Sequence, residues 1–344
     1  MLFVTNRVLK QGLTPLPAEG EEFRLARSVD FVLNNNQAEQ SFYCCRKTGS
    51  NDYTEIGSAN FFDELKLLDV DQILFFVHGF STLPRDAFRQ TETLQRLLDA
   101  LHQTGRRGTG KSPKILVIPL IWPCDNDFGR VKDYFDDQKA ADASGFAYMR
   151  LLQKFLSWRE ENSTLENPCI KRVNVLAYSM GNRVLRSALQ LSAKYYPQSG
   201  LALLFRNVFM AAADVVNETL EPGKSGGVIP PMSRNVVVYY AADDLALRAS
   251  KVANVGTTNA SRRLGHTGPE RMEKVAKNVY AIDCDDFNNR YDRLGHQYFL
   301  DDPQNGDAGL LLRHAWICMR TGRVPVTSRA IPESRVEILN EQQM

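Results

Sequence analysis

The sequence has no apolar run of membrane length. None reaches the ~20 consecutive apolar residues that a bilayer-spanning helix needs. The opening Met1-Leu2-Phe3-Val4-Thr5-Asn6-Arg7 lacks a basic segment followed by an apolar one, so it does not read as a secretory signal. A cytoplasmic protein without a membrane span is therefore expected. An excess of charge is also missing. The 42 Lys and Arg residues nearly balance the 40 Asp and Glu, for a net +2, which speaks against nucleic acid or an anionic membrane surface as partner. The basic pairs Arg106-Arg107 and Arg262-Arg263 are short and read as solvated loop charge. Six cysteines occur, but no C-x-x-C pair and no Cys/His cluster of zinc-finger spacing, so free thiols are expected. H-E-x-x-H, a G-x-G-x-x-G and a phosphate-cradling Walker loop are absent too. No metal and no cofactor are expected.

What is present is ordinary globular material. An apolar fraction of 43% with 24% charged residues argues against disorder, and 344 residues can bury a large core without staples. Residues 1–70 read as an irregular strand-rich part, with candidate strands at Phe3–Val8, Phe23–Leu33 and Gln40–Arg46 placed as antiparallel members at one end of a sheet. From Asp71 short apolar runs alternate with amphipathic stretches. Strands are expected at Ile73–Val77, Ile115–Trp122, Arg172–Ala177, Asn207–Ala212, Asn235–Tyr240 and Asn278–Asp283. Helices are expected at Arg85–His102, Gln138–Arg159 and Asn182–Tyr195. Gly105–Ser112 and Pro222–Pro231 read as surface loops. The alternation predicts an α/β class with a mostly parallel sheet flanked by helices, in a core spanning residues 71–325. Residues 326–344 read as a tail, and the whole as a single domain.

One segment carries chemistry. Arg172–Tyr178 runs as a strand into Ala177-Tyr178-Ser179-Met180-Gly181, and a helix follows. A serine nucleophile on a sharp strand-to-helix turn needs small residues two positions to either side, here Ala177 and Gly181. Alanine departs from the usual glycine at the first of these. The plain alternative is a serine that only caps the helix; the strand before it and the helix after it favour the turn.

With Thr5-Asn6-Arg7, His78-Gly79-Phe80, Trp122-Pro123 and Ser179-Met180-Gly181-Asn182-Arg183 in view, the chain resembles the α/β-hydrolase superfamily. It is most similar to a branch of poorly characterised, mainly bacterial serine hydrolases that carries these four motifs. The resemblance covers nearly the whole chain and implies an α/β-hydrolase fold without a large lid domain. It implies an oxyanion hole from the backbone N–H groups of Phe80 and Met180, with His78 supporting the loop and taking no part in proton transfer. It also implies the chain order serine, acid, histidine.

Three acids follow suitable strands: Asp214, Asp243 and Asp244. Asp244-Leu245-Ala246-Leu247 resembles the branch's acid pattern, which points to Asp244, with Asp214 and Asp243 as alternatives. Of five histidines, His78 belongs to the oxyanion loop, His102 ends a helix, and His314 lies on a late amphipathic stretch. His266 and His296 share the tetrapeptide Arg-Leu-Gly-His. Only His296 follows Asn278–Asp283, taken as the last strand, and Gly295–Phe299 resembles the branch's histidine loop. His296 is expected as general base, and His266 as a loop-shaping residue. The expected activity is hydrolysis of a small acyl substrate, a carboxylic ester, thioester or amide. Phe80, Trp122, Phe128, Tyr134 and Tyr178 suggest an apolar acyl site. The competing expectation is a catalytically silent binding or scaffold protein on the same fold.

Overall fold

The computed structural model describes residues 1–11, 27–109, 112–125, 130–163, 171–196, 203–253, 262–325 and 336–339. Five short strands come first: β1 (Leu2–Arg7), β2 (Leu9–Gln11), β3 (Arg27–Phe31), β4 (Ala38–Lys47) and β5 (Tyr53–Glu55). Helix α1 (Ser58–Leu67) and strand β6 (Gln72–Val77) follow. Next come α2 (Pro84–Thr109), β7 (Ile115–Ile121), α3 (Arg130–Glu161), β8 (Arg172–Tyr178) and α4 (Gly181–Tyr195). The chain continues through β9 (Phe205–Ala211), β10 (Ser233–Tyr240), α5 (Leu245–Ala253), α6 (Leu264–Thr267), β11 (Val279–Asp283), α7 (Asn288–Tyr291) and α8 (Leu310–Thr321). It closes with β12 (Val336–Ile338).

The strands form one sheet in the order β12-β11-β10-β9-β8-β6-β7-β1-β4-β5-β3-β2. From β12 to β1 every neighbouring pair is parallel, and from β1 to β2 every pair is antiparallel. The architecture is the α/β class that the alternating pattern predicts. Central strands read as continuous apolar runs because both faces are covered. Ile73, Phe75 and Val77 of β6 join Val175 and Val208 on the face under α3 and α4. Leu74 and Phe76 point the other way, into a cluster with Leu94 and Leu98 of α2 and Leu311 and Ala315 of α8. The period of two along each strand feeds both layers.

The order β8-β6-β7 makes a switch point. The chain leaves β6 to one side for β7, then crosses to the other side for β8. In open parallel sheets the crevice beyond the carboxyl ends of such strands is where ligands bind. His78 and Ser179 directly follow β6 and β8 and stand at that crevice.

Several sequence expectations need correction. Gly105–Ser112 is not simply a loop, since α2 runs to Thr109. Gly105 lies inside that helix because Trp316 of α8 packs against it; a Cβ there would sit 2.8 Å from the indole. Arg263 is not solvated loop charge but is 1% exposed. β11 is not the last strand: β12 pairs with it in parallel at the sheet edge, inside the stretch read as a tail. The strand expected at Phe23–Leu33 is described from Arg27 onward, and its first residues lie outside the described ones. Among the described residues, no helix is long and apolar enough to cross a membrane.

Candidate active site

Ser179 sits between β8 and α4 with φ of 50°, in the left-handed region that non-glycine residues avoid. Such strain costs about 1–3 kcal/mol and persists only where surrounding bonds over-determine it. Here Ser179 N–H donates to Ala211 O at 2.9 Å, and Ser179 O accepts from Asp214 N–H at 3.1 Å. The buried Asn182 amide adds bonds to Ala177 O at 2.9 Å and to Ser179 O at 3.0 Å. At about 1 kcal/mol net each, these bonds offset strain of that size. Gly181 is required for space: a Cβ would lie 2.5 Å from Val77 O and 2.6 Å from His78 O. Ala177 is tolerated at the other flank because its methyl belongs to the apolar cluster with Met180 and Val184.

His296 stands beyond β11, and its ring bridges two side chains. Nε2 is 2.9 Å from Ser179 Oγ, and Nδ1 is 2.6 Å from Asp244 Oδ2. Ser179 and Asp244 are separated from it by 117 and 52 residues of chain. Asp244 is fully buried, and its other oxygen accepts Leu247 N–H at 2.9 Å in the first turn of α5. One carboxylate thus caps a helix and holds an imidazole. The histidine loop is anchored by Asp292 Oδ2, which accepts the backbone N–H groups of His296 and Gln297 at 2.9 and 3.0 Å. The Tyr178 ring packs 5.2 Å from the imidazole.

The other candidate acids are engaged elsewhere. Asp214 accepts from Tyr134 Oη at 2.8 Å and Ser250 Oγ at 2.7 Å, and pairs with Arg263 Nε at 3.1 Å, with both charged side chains buried. Burial, reinforced by Asp214, raises the Tyr134 phenol to about 12, so it remains a donor. Asp243 accepts from Asn288 Nδ2 at 2.5 Å and from Asn289. It braces the segment before the histidine loop.

The remaining histidines are placed away from Ser179 Oγ. His78 is fully buried, stacks on Trp122 with 5.2 Å between centroids, and has Nδ1 3.0 Å from Gly79 O. Burial lowers its pKa to about 3, so it stays neutral. His266 on α6 contacts Arg248, His102 faces Pro113 O, and His314 meets Tyr239 Oη.

Phe80 lies in the loop after β6. Among the described residues, neither Phe80 N–H nor Met180 N–H has a hydrogen-bond acceptor, while neighbouring backbone groups on both segments do. A cavity of about 410 Å³ opens over Ser179 and His296. Its walls include Phe80, Tyr178, Leu245, Leu247 and Leu294, with Tyr134, Asp214 and Ser250 supplying polar atoms. Trp122, expected among the aromatic residues of this pocket, is instead fully buried and donates Nε1–H to His78 O at 2.9 Å. Phe128 lies outside the described residues.

Sequence reading missed what holds the loop after β6. Arg7 of β1 is fully buried and donates to Cys124 O at 2.8 Å, and Thr5 Oγ1 donates to Ile121 O at 2.7 Å. Asn6 Nδ2 reaches Ser144 Oγ of α3 at 2.9 Å. The Thr-Asn-Arg motif therefore anchors the segment after β7 that packs against residues 78–82. Its buried charge in a strand was the one available signal.

A parallel sheet with helices on both faces and a strained serine at the crest of its switch point defines the α/β-hydrolase class. Residues 55–311, well over half of the chain, match the family described as alpha/beta hydrolase of unknown function (DUF900), and the chain belongs to that family. Comparison with curated proteins and with solved structures gave no match.

Proposed function

We propose that the protein is a serine hydrolase that cleaves a carboxylic ester, thioester or amide through an acyl-enzyme on Ser179. The observation that carries this reading is the unbroken relay Ser179 Oγ, His296, Asp244 at 2.9 and 2.6 Å.

A hydroxyl is a poor nucleophile at neutral pH and needs a base within hydrogen-bond reach. His296 Nε2 takes the Ser179 proton as Oγ attacks the acyl carbon. The carbonyl π electrons move to oxygen, and Phe80 N–H and Met180 N–H stabilise that oxyanion. When the tetrahedral adduct collapses, the bond to the leaving group breaks and His296 returns the proton to it. Water, deprotonated by the same imidazole, then attacks the acyl-enzyme, and Ser179 recovers its proton as the acid departs. Asp244 stays ionised, fixes the tautomer and stabilises the imidazolium. Each preorganised donor in such a hole contributes about 3–4 kcal/mol at the transition state.

The mainly apolar walls of the cavity suit an uncharged acyl chain. The test is a chain-length panel of p-nitrophenyl esters and acyl thioesters on purified protein, with Ser179→Ala as control. Wild type is expected to turn over part of the panel, and Ser179→Ala to lose on the order of 10⁴-fold or more. Equal rates for the two proteins would contradict the reading.

A further inference from the structure

Three backbone groups around Phe80 are tied down. Gly79 O faces His78 Nδ1 at 3.0 Å, Phe80 O accepts from Thr82 Oγ1 at 3.2 Å, and Thr82 N–H meets Cys124 Sγ at 3.3 Å. The fourth tie comes from far away in sequence. Ser81 N–H donates to Asp137 Oδ2 on α3 at 3.2 Å, across 56 residues. Phe80 N–H, like Gly79 N–H, has no acceptor among the described residues. Ser81 itself has φ of 53°, so the turn that leaves Phe80 N–H unbonded is a strained one. A non-glycine residue stays in that region only when its neighbours hold it there.

We propose that Asp137 is a positioning residue for the oxyanion hole: its buried carboxyl holds the strained Ser81 turn and so aims Phe80 N–H at the oxygen of the substrate carbonyl. This rests on the serine hydrolase reading. Asp137 is fully buried and is not among the residues that line the cavity. Its Oδ1 accepts Asn36 Nδ2 at 2.9 Å and Asp125 N–H at 3.3 Å. One carboxyl therefore joins the loop after β6, the loop after β7 and the loop before β4. Three N–H donors converge on two oxygens. An asparagine offers one acceptor oxygen and turns an NH₂ group toward a donor, so it cannot reproduce the arrangement. Burial raises the carboxyl's pKa, yet both oxygens keep lone pairs for these donors in either protonation state.

The test compares wild type, Asp137→Asn and Asp137→Ala on a p-nitrophenyl ester, with active sites counted by fluorophosphonate labelling. A trifluoromethyl ketone, which forms a tetrahedral adduct with the serine, reports the hole directly. Misplacing one donor is expected to lower kcat per labelled site by about 10–100-fold in Asp137→Asn, with KM changed less than about threefold. Affinity for the ketone should fall by the same factor as kcat/KM. A merely structural loss would reduce the number of labelled sites and leave kcat per site and ketone affinity intact, and that result overturns the proposal. Should both variants fail to fold, amide exchange in the wild type decides. Ser81 N–H should be protected and Phe80 N–H not, until the ketone binds and protects Phe80. An unprotected Ser81, or a Phe80 already protected without ketone, overturns it equally. A wild type that takes no fluorophosphonate contradicts the serine hydrolase reading itself, which distinguishes the two failures.

Discussion

Three carboxylates do different jobs around the same crevice, and their partners separate them. Asp244 gives one oxygen to His296 and the other to the first turn of α5. Asp214 is committed to Arg263, Tyr134 and Ser250, and Asp243 to two asparagines. Asp244→Asn is expected to lower turnover by about 10³–10⁴-fold, because the imidazole loses its orienting carboxylate and tautomer. Asp214→Asn is expected to act on stability, by about 3–5 kcal/mol, since it strands the buried Arg263 charge. Turnover per labelled site should change little there and in Asp243→Asn. Denaturant unfolding and turnover on the same samples check the separation, and a larger catalytic loss at Asp214 would move the acid to the loop after β9. The sequence alone left these three open because each follows a strand. What separates them is contact with Tyr134, Arg263, Asn288 and His296, residues 45–80 positions away that no local pattern connects.

At the scale of elements, α3 does more than cover the sheet. It carries Tyr134 to the pocket wall, Asp137 to the loop after β6 and Asp142 to the Arg183–Arg186 pair at the start of α4. Burial raises the Asp137 carboxyl to about 8, with Asp125 acting in the same direction and the Ser81 and Asp125 N–H groups opposing. The sign of the resulting pH dependence follows from linkage. Between the ordinary carboxylate range near ~4 and about 8 the folded form holds a proton that the unfolded chain has released, so stability falls as pH rises through that window. Asp137→Asn should lack this decline. Thermal midpoints of both proteins from pH 5 to 9 should converge with rising pH, with the wild type losing its advantage. Parallel curves would show that this carboxyl ionises normally. Long, strongly periodic elements were legible in the sequence, because apolar spacing reports burial directly. The far end of α2 was misjudged because Gly105, normally a helix breaker, serves there to admit Trp316.

Across the whole molecule, the switch between β6, β7 and β8 gathers one crevice from distant parts of the chain. Ser179 follows β8, Phe80 follows β6, Asp244 follows β10 and His296 follows β11. The serine and histidine could be singled out from chain order and a short motif, because an elbow is local and a loop beyond a late strand is countable. The support from Thr5, Asn6 and Arg7 could not, since it acts through bonds spanning 116 to 138 residues. β12, beyond the segment taken as final, adds an edge strand without displacing the loop that bears His296. The central claim is that Ser179 is activated by His296. Its most direct measurement is the rate of fluorophosphonate labelling from about pH 5 to 9, with the labelled peptide identified by mass. Only neutral imidazole can take the serine proton, so labelling should slow toward acid pH. One adduct is expected, on Ser179, absent in Ser179→Ala and nearly absent in His296→Ala, while His266→Ala keeps both the adduct and its acid limb. Labelling that survives His296→Ala at the wild-type rate, or an adduct on any other residue, would contradict the claim.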